Sequence, residues 1–305
     1  MTVGVQYLPY HLIDKQKWDA CIDAADNGLI YVHSTYLDNM AHHWDALVLD
    51  NYDVVMPLTW NKKYGICYLY QPYFTAALGL FGKNITAELV NNFLSSIPAK
   101  FKYWDIYLNY ANRFPLSKFE LTNRVNYILS LQDSYEKLFA AFSVSHKRNI
   151  KRAAQLNCTL SRNIEIDEVI KLAEEQARDF SKATKADYNH FKKLYLQLYS
   201  EKKATTYGVY LPSGQLVASC AFFFSNKRAY YILVGNHPNG KTIGASHYLI
   251  NAFIKDNAGK DLLLDFEGSD IKSLANFYSS FGARQEIYAG LKMNRLPKIV
   301  RLLKP

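Results

Sequence analysis

Apolar and polar positions along the chain switch between two periods. Runs that are apolar throughout or alternate every second residue predict strands, and apolar positions three and four apart predict helices. Helical spacing comes first, at Asp14–Ala25, with Trp18, Ile22 and Ala25 on one side. Strand-like runs then dominate. Ala46–Leu49 and Val54–Leu58 flank the Asp50-Asn51 turn as a hairpin, with Pro57 expected at an edge or strand end because it has no N–H to donate. Gly65–Tyr70 continues the sheet, and a loop with Gln71-Pro72, Gly79 and Gly82 leads to a helix over Thr86–Ser96. Asn84 is the expected N-cap, with Thr86 the runner-up. Tyr103–Leu108 is the next strand.

The second half repeats this order. Thr206–Tyr210 and Leu216–Phe224 form a hairpin about Pro212–Gly214, and Lys227–Val234 is the next strand. A Gly/Asn/Pro turn at Gly235–Gly240, a helix over Thr242–Asn257, a strand at Leu262–Phe266 and a helix ending at Phe281-Gly282 complete the unit. Residues 46–108 and 206–266 therefore share hairpin, strand, loop, helix, strand, although few residues are identical. Between them lie a short strand at Asn126–Leu131, a segment over Ser134–Leu156 and two amphipathic helices, Asp167–Ser181 and Asp187–Ser200. The pattern predicts a mixed α/β fold in two domains, residues 1–125 and 126–305, with the tail Lys292–Lys304 packing back on the body.

Composition agrees with a large core. The chain has 305 residues, 49% of them hydrophobic and 15% aromatic, which excludes a disordered protein. No apolar run approaches the roughly 20 residues of a membrane span, and the N-terminus lacks a signal-peptide pattern, so a cytoplasmic protein is expected. Cys21, Cys67, Cys158 and Cys220 stand alone, without zinc spacing, His42 and His43 are adjacent and no HExxH occurs, so metal catalysis has little support. The net charge of +9 suggests an anionic partner: cofactor phosphates, nucleic acid or a membrane surface.

Three features could carry chemistry. The small-residue run Gly240, Lys241, Thr242, Ile243, Gly244, Ala245, Ser246 falls where a helix begins. Small side chains let a phosphate approach backbone, and first-turn N–H groups favour its charge. The alternative is a turn whose small face packs on the sheet. Asp265 and Glu267 alternate with Leu264 and Phe266, so both carboxylates are expected on one side of a strand end, to deprotonate an amine or bind a cation. Their alternatives are a cap from Ser269 or Asp270 and a Glu267–Lys272 ion pair. If Ser134–Leu156 is helical, Lys147, Arg148, Lys151 and Arg152 make one basic face, for substrate, RNA or solvent alone. His247 is expected to be a packed or capping residue.

The run Lys241-x-x-Gly244-x-Ser246 resembles the acyl-CoA signature of the GNAT acetyltransferase superfamily, Gln/Arg-x-x-Gly-x-Gly/Ala, with Lys and Ser at its two ends. Tyr278, four residues before Gly282, has the spacing of a tyrosine that the superfamily tends to carry, an aromatic core residue being the alternative. The tandem organisation, the basic helix and the LLLDFEGSD strand end resemble the FemA/FemX-like transferases and the BioF2/CelD-like acetyltransferases, which carry two GNAT-like domains. The resemblance covers residues 125–290 well, and the first half by element order.

It implies two GNAT-like domains, each a mixed, mostly antiparallel sheet flanked by helices, with residues 1–125 a degenerate copy shaping the acceptor side. Backbone at Leu233, Val234 and Gly235 would bind the pantetheine arm of acetyl-CoA or another acyl-CoA, Gly240–Ser246 its pyrophosphate, and Tyr278 would protonate the leaving thiolate. The acceptor would be an amine of a small molecule or cell-envelope precursor. A Fem-like aminoacyl transferase using tRNA, and a non-catalytic binding protein, are the alternatives.

Overall fold

The computed structural model describes residues 4–268 and 270–296. The chain divides into two compact units, one of residues up to Arg124 together with those from Ile287, the other Val125–Glu286.

The first unit contains β1 (Gln6–Leu8), α1 (Lys15–Ala24), α2 (Ser34–Met40), β2 (His43–Leu49), β3 (Val54–Lys63), β4 (Ile66–Tyr70), β5 (Phe81–Gly82), α3 (Ala87–Ser95) and β6 (Phe101–Leu108). Asp14 caps α1 by accepting from the amides of Gln16 and Lys17, and Trp18 and Ile22 are buried, as their spacing predicts. The strands run in the order β1-β2-β3-β4-β6, with β5 on β3. All pairs are antiparallel except β4 with β6.

Two expectations are corrected here. Pro57 lies inside β3, opposite Ala46, on the stretch that neither β5 (at Val54 and Val55) nor β4 (at Trp60–Lys63) pairs with. Its missing N–H therefore costs no bond on that side. Thr86, not Asn84, caps α3, its hydroxyl accepting from the Leu89 amide at 3.2 Å. Asn84 instead takes the left-handed conformation, φ 52°, in the turn before it.

The second unit begins within β7 (Leu121–Ser130). It continues through α4 (Tyr135–Ala140), α5 (Val144–Gln155), β8 (Thr159–Arg162), α6 (Ile166–Ala177), α7 (Lys185–Ser200), β9 (Ala204–Tyr210), β10 (Leu216–Ser225) and β11 (Arg228–Asn236). Then come α8 (Pro238–Ile243), α9 (Ala245–Asn257), β12 (Leu263–Asp265) and α10 (Lys272–Ser279). Strand order is β7-β12-β11-β10-β9-β8, antiparallel except for β11 with β12. The last strand, β13 (Arg284–Asn294), leaves this unit, and its residues Ala289–Asn294 pair with β6 inside the first.

Each unit is thus a mostly antiparallel sheet flanked by helices. In the second, successive residues of β10 place their rings on opposite faces: Phe222 stacks on Phe253 of α9 at 3.7 Å, and Phe223 on Phe191 of α7 at 5.2 Å. Helices α9 and α7 therefore cover opposite faces. No helix among the described residues is long and apolar enough to cross a membrane. The expected tail falls largely outside the described residues, beyond Leu296.

Candidate functional site

The parallel pair β11–β12 is short. Arg228, Ala229 and Tyr230 pair with Leu263, Leu264 and Asp265, and there the pairing stops. β11 runs on to Asn236, bonded to β10 along its other edge, so Tyr231–Asn236 has no strand partner on the β12 side. A bulge sits at this divergence: Tyr231 opposes Phe222 and Leu233 opposes Ala221, leaving Ile232 as the extra residue. It resets the alternation, so Tyr231, Val234 and Asn236 share the α9 face, while Leu233 and Gly235 face the other way.

A buried ion cluster pins the base of the opening. Arg228 meets Asp265 at 2.7 Å and grips Glu286 through both terminal nitrogens, at 2.9 and 2.7 Å. Asp265 also accepts from Asn126 and from the Glu267 amide, both at 2.9 Å. The side chains of Arg228 and Asp265 are 6% and 4% exposed. So enclosed and so fully bonded, Asp265 is a structural carboxylate. Glu267 does not share its side of the strand: β12 ends at Asp265, and Glu267 takes a left-handed φ of 65°. Ser269, one alternative cap, lies outside the described residues, and the residue before α10 is Ile271, without a side-chain cap bond.

A cavity of about 380 Å³ opens at the diverging edge. It gathers Val234, Gly240, Lys241, Ser246 and Tyr278 from the residues expected at a donor site, with Tyr231, Asn236, His247, Leu274, Phe277 and Gln176. Leu233, Gly235, Thr242, Ile243, Gly244, Ala245, Asp265 and Glu267 are not on its wall. Gln176 comes from α6, which packs where Gly235 faces: a β-carbon at Gly235 would lie 2.8 Å from the backbone nitrogen of Ala173. Since His247 and Ser246 come from α9, the cavity is lined from both faces of the sheet.

The expected loop is helical. Pro238–Ile243 forms α8, and Gly244, φ 81°, ends it and starts α9. Its glycines serve packing. A β-carbon at Gly240 would lie 2.2 Å from the Val217 carbonyl oxygen, and one at Gly244 would lie 2.7 Å from that of Asn149 on α5. The Ser246 hydroxyl is bonded to the Asn236 side chain. Lys241 is exposed and makes no ion pair among the described residues. The first-turn amides of α9 lack intrahelical partners by the geometry of any helix start.

Tyr278 is buried, stacked on Phe266 at 4.7 Å. Burial, then the nearby Glu267 charge, raises its pKa, so the phenol keeps its proton at neutral pH. His247 is not a helix cap. Its Nε2 meets the Asn149 side chain at 3.2 Å, its ring packs edge-on against His146 at 4.4 Å, and Nδ1 is buried without a partner. Burial, then His146, lowers its pKa to about 4. Burial lowers that of His146 as well. Gln176 Oε1 is likewise buried and unpartnered. Neither Gln176 nor His146 was singled out for this site, because nothing local in the sequence brings α6 and α5 to the end of β11.

The basic segment forms α5, capped by Ser143. Lys147 turns back to the Ala140 carbonyl at 2.8 Å. Arg148, Lys151 and Arg152 are exposed, with no ion pair among the described residues. Asn149, between them, touches both Gly244 and His247, so α5 borders the α8–α9 junction.

Comparison with solved structures places this fold. The chain superimposes on FemX with a TM-score of 0.65, covering 98% of this chain and 99% of that one at 14% identity. The fold is that of FemX. A conserved protein of unknown function from Bacteroides thetaiotaomicron is similar over 93% and 99% of the two chains, TM-score 0.62 at 13% identity. The C-terminal domain of a lysylphosphatidylglycerol synthetase from Agrobacterium fabrum matches over 95% and 94%, TM-score 0.57 at 10% identity. No family model matches the sequence, and no curated protein matches it. The FemX-like fold expected from the sequence is therefore the observed one.

Proposed function

We propose that the chain is an acyltransferase whose second unit holds the acyl donor, an acyl-CoA such as acetyl-CoA, and passes its acyl group to an amine. The observation that carries this reading is the unpaired edge of β11, Tyr231–Asn236, opening into a cavity that Tyr278 and Lys241 share. An amide-bearing pantetheine arm can pair with that edge as a strand would. Lys241 and the first-turn amides of α9 would meet the pyrophosphate.

Transfer would proceed by direct attack. The amine nitrogen bonds to the thioester carbonyl carbon, the carbon–sulfur bond breaks, and backbone N–H groups of β11 hold the developing oxyanion. Tyr278 gives its proton to the departing thiolate, and the proton lost by the amine passes through water to Glu267, which lies off the cavity wall. Asp265 takes no part beyond fixing the strand ends. Calorimetric titration with acetyl-CoA tests the reading: saturable binding, lost in Val234→Trp, supports it. No heat at millimolar ligand with a folded protein sinks it.

A second reading has one observation behind it. Arg148, Lys151 and Arg152 form an exposed cationic strip beside the α8–α9 junction, without an ion pair among the described residues. Such a strip suits the phosphodiesters of an aminoacyl-tRNA donor. Binding of tRNA should then weaken steeply with salt, and an Arg148→Glu/Arg152→Glu double variant should abolish it.

A further inference from the structure

The rim of the second unit's cavity is unusual in what it leaves in water. Phe180 is 73% exposed, Ile271 61% and Leu274 39%. Leu274 lines the cavity itself, and Ile271 precedes it by three residues, at the start of α10. Phe180 follows Gln176, also a lining residue, by four positions. The turn after α6 continues the helix there, with the amides of Phe180 and Ser181 both bonded to the Ala177 carbonyl. Phe180 and Gln176 therefore share one side of α6 and its extension. Folding normally hides such side chains, and an exposed apolar group beside a site marks an interaction surface.

Cations flank these apolar tips. Arg178, Lys182 and Lys185 lie within five residues of Phe180 in the chain, all exposed, Lys272 follows Ile271, and Lys241 lines the cavity. None of the five makes an ion pair among the described residues. Acids lie in the same stretches: Glu174, Glu175 and Asp179 near Phe180, with Asp187 tied to Thr184 in the α7 cap, and Glu267 and Asp270 before Ile271, Asp270 accepting from the Val125 amide. Aliphatic Ile and Leu do not stack on bases, which argues against a nucleic acid as the occupant. Apolar tips set among lysines and arginines match the boundary between headgroups and acyl chains of an anionic bilayer.

We infer that this rim docks the protein peripherally on an anionic lipid surface, with the tips of Phe180, Ile271 and Leu274 entering the headgroup region and the cavity mouth facing the membrane. No segment crosses the bilayer. The acceptor delivered to the cavity is then one held at a membrane surface. The inference rests on the rim and not on the identity of the donor, so loss of acetyl-CoA binding and loss of membrane binding would be separate results.

Co-sedimentation of the full chain with 100 nm vesicles tests it. Vesicles of phosphatidylglycerol and phosphatidylcholine at 1:1 should take up the protein, and pure phosphatidylcholine much less. Phe180→Ser/Ile271→Ser should release it at least tenfold, with far-UV dichroism unchanged. Lys182→Ala and Lys185→Ala should each weaken binding about fivefold. Absence of binding to the anionic vesicles overturns the inference. So does binding that the Phe180/Ile271 variant leaves intact, which would be mere attraction of a basic protein. Displacement from vesicles by a single-stranded oligonucleotide, with Phe180 protected, would give the surface to nucleic acid instead.

Discussion

Both units carry one parallel strand pair in an otherwise antiparallel sheet, and the two pairs end differently. In the first unit β4 stays paired with β6 to its last residue, Tyr70 opposite Asp105. Beyond that point the chain fills its own opening. Gln71 accepts from the Tyr107 amide at 3.0 Å, Leu78 donates to the Tyr107 carbonyl at 2.8 Å, and Asn109 donates back to Leu78 at 2.7 Å. In the second unit pairing stops at Tyr230, and only His237 separates β11 from α8, so no loop is available to fill the edge. A loop's length thus decides whether the same topology yields a closed core or a cavity.

The comparison can be broken at several points. The largest effect is expected from Arg228→Met, which strands Asp265 and Glu286 in a buried site. Chemical denaturation should show a loss of about 3–5 kcal/mol. Plugging the second opening as the first is plugged, by Val234→Trp, should abolish donor binding in a titration while the protein still unfolds cooperatively.

Tyr278→Phe should lower kcat about 100-fold or more and leave donor affinity within twofold, because only the proton is removed. A comparable drop in affinity would make Tyr278 a packing residue. Gln71→Ala, which opens the first unit's plug, should cost about 1–2 kcal/mol and leave donor binding unchanged.

Acidification offers a smaller test. The lowered pKa of His247 means that the unfolded chain binds a proton which the folded one refuses. Stability is then complete above about pH 6.5, the ordinary histidine value, and is lost as pH falls toward about 4. The melting temperature should drop over that window, and His247→Phe should flatten the drop.

Much of this was legible in the residues. The periodicities of Trp18/Ile22 and of the two hairpins gave real elements, and Lys241, Ser246 and Tyr278 do meet at one cavity. The site's enclosing parts were not legible. Gly235 suggests backbone offered to a pantetheine arm and Gly240 and Gly244 backbone offered to a phosphate, yet α6, β10 and α5 come close to them in turn. That information is long-range. Asp265 and Glu267 suggest a shared face only while the strand continues, and it ends between them. The strands β1, β5, β8 and β13 were missed. The first three are short, and the basic-apolar alternation in β13 resembles a tail when its partner β6 is nearly two hundred residues away.

The central claim is that the donor occupies the open edge of β11. Amide hydrogen exchange of the full chain with and without acetyl-CoA tests it most directly. The account predicts added protection at Tyr231–Asn236 and at the start of α9, with none at Gln71–Asn109. Unchanged exchange at Tyr231–Asn236 under saturating acetyl-CoA, or protection confined to the first unit, would contradict it.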